Sequence, residues 1–130
     1  MRLQIAFCVV AGFMLAASPS SAHHGAGLFD PGETVTVVGT VTQFHFVNPH
    51  VLVYITVTGE DGKEIEWAGE LTSPNRLARS GSADVKWHKD ILRVGDRITM
   101  TGNPARNGAP AMDITKIVDA NGVALIGGAL

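Results

Sequence analysis

Histidine supplies most of the chemistry this chain could perform. Of five histidines, two stand side by side as His23-His24 directly after Ala22, and a third, His50, closes the tripeptide Asn48-Pro49-His50. A cut after Ala22 would make His23 the first residue. A histidine at a free N-terminus offers its α-amine and its ring Nδ1 as a chelating pair. A second imidazole completes a T-shaped, three-nitrogen site of the kind copper(II) favours. His50 is the better second ring, because Pro49 restrains the backbone beside it. The expected metal ligands are therefore His23 (amine and ring) and His50, with His24 as an accessory. The competing reading is an N-terminal His-His pair with no ligand role and a surface His50 at a corner.

Other residues of metal-binding or acid–base type have plainer explanations. His45 falls on a predicted strand, where packing or hydrogen bonding is its ordinary role. His88, between Trp87 and Lys89, reads as a surface residue. Met100 and Met112 are thioethers of the kind that suits copper(I), but they sit at inward strand positions, where filling the core is the simpler use. Glu66 and Glu70 share one face of a strand. Paired carboxylates can do acid–base work, but a solvated face is the more ordinary outcome, with Glu70 placed to cap a following helix. No Gly-x-Ser-x-Gly, phosphate-cradling glycine loop or zinc-finger spacing is present. Nucleophilic catalysis has little support.

The cut itself is read from the first residues. Arg2 supplies a positive start, Ile5 to Ala17 is uncharged and apolar, and Ser18-Pro19-Ser20-Ser21-Ala22 ends in small residues. This is the pattern of a secretory signal peptide cleaved after Ala22, and the apolar run is shorter than the roughly 20 residues a spanning helix needs. The alternative is an uncleaved anchor. Cys8, the only cysteine, lies inside the leader, so the mature chain would hold no disulfide in a periplasmic or secreted setting. The formal charge is −2. Without a Lys/Arg cluster, nucleic-acid binding is not expected. Stable membrane insertion after cleavage is not expected either. The predicted layout is 1–22 signal peptide, 23–33 lead-in and 34–130 one domain.

The elements that must position these residues are strands. Thr34 to Phe46 is rich in Val and Phe, with Gly39 read as a bulge or sharp coil. After the Asn48-Pro49 corner, His50 to Thr58 alternates Val51, Val53, Ile55 and Val57 against Leu52, Tyr54 and Thr56, the mark of a strand with one buried face. Gly59 to Gly62 is a hairpin turn. Lys63 to Leu71 is a third strand, with Ile65, Trp67 and Leu71 on one face. Ser73-Pro74 opens a short helix ending near Gly81. Trp87, Ile91 and Leu92 read as an inward-packing lid. Arg97 to Thr101 is strand four, Asn103 to Ala109 a loop, and Ala111 to Val118 strand five, followed by a short strand over Val123 to Ile126. Three strands, a helix, then two strands is the order of a small OB-like barrel, closed or partly open, of five to six strands. A two-sheet sandwich is the alternative.

The chain resembles an uncharacterised family of small periplasmic bacterial proteins that carry a domain of unknown function. The resemblance rests on Ala22-His23-His24, Gly39 to Thr42, Asn48-Pro49-His50, Trp67, Glu70 with Ser73-Pro74-Asn75 and Leu77, and Gly95-Asp96. It departs at Ser82, where the family usually shows an aromatic residue; Trp87 is the candidate substitute. The resemblance implies an OB-type β-barrel and brings no activity. Three functions stay open: a periplasmic copper-binding carrier or scavenger; a metal-free module holding a peptide, glycan or small ligand around Phe44, Phe46, Tyr54 and Trp67; and a copper-dependent oxidase or oxygenase.

Overall fold

The computed structural model describes residues 27–80 and 85–127. The predicted signal peptide, His23 and His24 lie outside those residues. The elements are β1 (Val35–His45), β2 (Leu52–Thr58), β3 (Glu64–Glu70), α1 (Pro74–Ser80), β4 (Arg97–Pro104), β5 (Ala111–Asp119) and β6 (Ala124–Ile126). The strands form one sheet in the order β3-β2-β1-β4-β5-β6, and a parallel β3–β5 pairing closes the first five into a barrel. With α1 between β3 and β4, this is the expected OB-like arrangement. Among the described residues, no helix is long and apolar enough to cross a membrane.

Alternation builds the core. In β2, Val53 and Ile55 are fully buried while Leu52, Tyr54 and Thr56 face outward. Val41, Ile98, Met100, Met112, Ile114 and Ile117 complete the interior, each such side chain contributing roughly 1.5–3 kcal/mol of hydrophobic transfer. Both methionines are fully buried, as core filling requires. One end of the barrel is stoppered by Leu77, Trp87 and Leu92. Trp87 packs its ring 6.4 Å from that of Phe44 and donates Nε1–H to the Leu125 carbonyl at 3.0 Å.

Three details depart from the sequence reading. The bulge in β1 lies between Val41 and Gln43, not at Gly39. It shifts the inward set from Val35, Val37 and Val41 to Phe44, and so turns His45 outward. Gly39 serves a close strand approach instead: a Cβ there would sit 2.5 Å from the Thr56 carbonyl oxygen. Strand β4 also runs further than expected, through Asn103 and Pro104, which pair with Asp113 and Met112. Pro104 lacks an N–H, but its carbonyl accepts from Asp30 N at 2.9 Å, so the position closes a strand end where the missing donor costs little. Glu70, finally, does not cap α1; its carboxylate turns to His50.

The described part of the lead-in is pinned along the β4–β5 connection. Phe29 bridges Ala105, Arg106 N–H donates to the Leu28 carbonyl at 2.9 Å, and Arg106 Nε–H donates to the Phe29 carbonyl at 3.1 Å. The Arg106 guanidinium stands 3.6 Å from the Asp30 carboxylate. The chain therefore enters along the end of β4, on the edge that β1 also uses, with β4 between it and β5.

Candidate functional site

The outer face of the barrel carries a row of residues set by register, polar except for Leu52. His45 of β1 lies opposite Leu52 of β2, Leu52 opposite Glu70 of β3, and Glu70 opposite Asp113 of β5. His50 precedes β2 on the side of Leu52 and Tyr54, since side chains two residues apart share a face. Val51 N–H donates to the Thr72 carbonyl and Leu71 N–H to the Val51 carbonyl, which hold this corner against the end of β3. The peptide between Asn48 and Pro49 is cis.

His50 Nδ1 pairs with Glu70 Oε1, and both side chains are about one-third exposed, at 35% and 27%. A carboxylate at Nδ1 fixes the proton there and leaves the Nε2 lone pair as the ring's free donor. A carboxylate on the far nitrogen is also the usual partner of a metal-binding imidazole, because it orients the ring and raises its basicity.

Asp113 stands next in the row, on the solvent-facing side of β5. Loss of hydration raises its pKa above the ordinary 3.8; repulsion from Glu70 adds to the rise, and attraction to His50 opposes it. A carboxyl with a raised folded-state pKa binds its proton more tightly folded than unfolded. Stability therefore falls as pH rises from 3.8 through the raised value. Solvent screening at this exposed position keeps the effect small. Asp113→Asn is expected to raise the melting temperature slightly at about pH 7 and to lose that advantage at about pH 3. Parallel thermal melts at the two pH values check it, and an equal shift at both would contradict the linkage.

The remaining described histidines have local partners. His45 Nε2 lies 3.1 Å from Gln43 Oε1, and its ring sits 5.7 Å from that of Tyr54. His88 Nδ1 accepts from Asp90 N–H at 3.2 Å. Among the described residues, no three His, Cys, Asp or Glu side chains converge as a metal site. His50 alone of the three expected ligands lies within them, so a three-nitrogen site would need donors from the residues before Gly27. The aromatic residues expected to form one open face are divided. Phe44, Phe46 and Trp67 pack against the core, while Tyr54 stands outside with His45. An apolar cleft of about 360 Å³ lies elsewhere, lined chiefly by Leu28, Phe29, Ala105, Ala109 and Ala111 with Arg106 at its polar side.

The His50–Glu70 contact could have been read from the turn. Thr58 opposite Glu64 fixes Leu52 opposite Glu70, which places His50 one diagonal step away on the same face. Asp113 has no such local signal, because only the parallel β3–β5 closure brings it there.

A five-stranded barrel with a helix between strands three and four, and a carboxylate-held histidine on its outer face, defines an OB-like domain with one candidate donor site. The chain belongs to a family of unknown function (DUF6152), whose model matches residues 11–113. None of the curated proteins matches the chain.

Proposed function

We propose that this is an exported periplasmic protein that binds copper(II) through the amine and ring of a processed His23 together with His50 Nε2, as a carrier or scavenger. His24 is the accessory ligand. The observation that carries the reading is the Glu70 carboxylate on His50 Nδ1, on a ring that is about one-third exposed, which leaves Nε2 as its second nitrogen for a metal ion.

The test is copper(II) titration of the protein that begins at His23, with Glu70→Gln beside it. Tight one-to-one binding is expected, weakened roughly 10- to 100-fold by the loss of the orienting carboxylate. No stoichiometric binding, or full affinity in Glu70→Gln, would contradict the reading. The cleft beside Leu28 and Phe29 favours a second reading: a metal-free module for a small apolar ligand, since its volume falls within the range of ligand pockets. Absence of copper binding would make that reading the leading one.

A further inference from the structure

We propose that the outer edge of β3, over Glu64 to Trp67, docks an extended, basic segment of a partner protein as an added strand. β3 pairs with β2 along its whole length, but with β5 only from Ala68 to Glu70. Ala68 N–H donates to the Pro110 carbonyl at 3.0 Å, and before Pro110 the chain turns away into the β4–β5 loop. Among the described residues, no strand lies along the first half of β3.

The direction of the free groups follows from two hydrogen bonds. Ala68 N–H points toward β5, while Leu71 N–H points toward β2 and reaches the Val51 carbonyl at 2.8 Å. Main-chain groups alternate sides along a strand. The N–H and C=O of Glu64 and Glu66 thus face outward, on the side where β5 has ended. The β2–β3 arm also projects past the barrel, because β1 pairs with β2 only as far as Thr56. A two-stranded ribbon of this kind is marginal alone and gains from a third strand.

Side chains select the occupant. Glu64 and Glu66 stand on one face of the arm and Glu60 and Asp61 at its tip, with Lys63 as the one basic group, 3.8 Å from Asp61. Glu66 Oε2 accepts from Thr42 Oγ1 at 3.4 Å, and its other oxygen has no partner among the described residues. On the opposite face Ile65 is 48% exposed. A second copy of this chain would set Glu against Glu, which disfavours direct pairing. A strand with Lys or Arg on one face and apolar residues on the other matches both faces, and main-chain pairing supplies the affinity.

The probe is a synthetic peptide of about nine residues alternating lysine and valine, added to the full mature chain. Two further versions carry N-methyl groups on the lysine or on the valine backbone nitrogens and keep every charge and side chain. Strand addition presents only one of the two sets to β3. One methylated version is expected to bind roughly tenfold more weakly, through lost hydrogen bonds, while the other retains binding. Bound parent peptide should slow amide exchange at Glu64 and Glu66, and the double variant E64K/E66K should lose affinity. Equal binding by both methylated versions, unchanged exchange at Glu64 and Glu66, or self-association through this edge would each overturn the proposal.

Discussion

Acetylation of the His23 α-amine is expected to lower copper(II) affinity by about a thousandfold, some 4 kcal/mol. The amine would become an amide nitrogen, whose lone pair is delocalised, and the chelate formed by amine and Nδ1 would be lost. Two donors on one residue bind as a unit, because the second is already held near the ion by the first; losing one removes that high effective concentration. The barrel should be untouched, since the change lies ahead of the Phe29–Ala105 bridge that anchors the lead-in. Titration against a competing chelator of known strength reads the loss, and unchanged melting confirms that the fold survives. Equal affinity in both proteins would remove the amine from the site.

Trp87→Ala is expected to cost about 3–5 kcal/mol of stability. Trp87 is 4% exposed and fills the barrel end between Phe44 and the β6 backbone. Truncation removes the stopper and leaves the Leu125 carbonyl without its indole partner. A domain of this size has roughly 5–15 kcal/mol in total, so the variant should approach unfolding near room temperature. Trp87→Phe separates the two contributions: it keeps an aromatic ring against Phe44 but still orphans the carbonyl, at about 1–3 kcal/mol. Urea denaturation of the three proteins gives the comparison. An unchanged midpoint in Trp87→Ala would mean that the barrel end is closed by something other than this side chain.

How much of this was legible in the sequence depended on range. Val51, Val53 and Ile55 announced β2 and its buried face, because alternation is a local property. Ser73-Pro74 marked the start of α1 for the same reason. The length of the Gly59–Gly62 turn set the hairpin register and, with it, the approach of His50 to Glu70. Gly39 was harder. A glycine within a strand signals either a bulge or a tight approach, and only the partner strand distinguishes them; here the partner is the Thr56 carbonyl. The bulge that turns His45 outward lies at residues with no glycine signature. The extension of β4 depends on Asp30 and Met112 as neighbours, and the raised Asp113 pKa on barrel closure. All of these arise between residues far apart in sequence.

The same division bears on function. His50 could be named as a donor from the rigid corner that carries it, and its approach to Glu70 from the hairpin register, whereas the neighbouring Asp113 arrives only with barrel closure. The β1 bulge and the β2 alternation send Phe44 and Tyr54, both assigned to the rival aromatic face, to opposite sides of the sheet.

The most direct measurement of the central claim is electron paramagnetic resonance of the protein beginning at His23, loaded with one equivalent of copper(II), with and without ¹⁵N-histidine labelling, and compared with His50→Ala. The account expects nitrogen couplings from three donors in the parent, all altered by the label, and one fewer donor in His50→Ala. An identical donor set in parent and His50→Ala would contradict it.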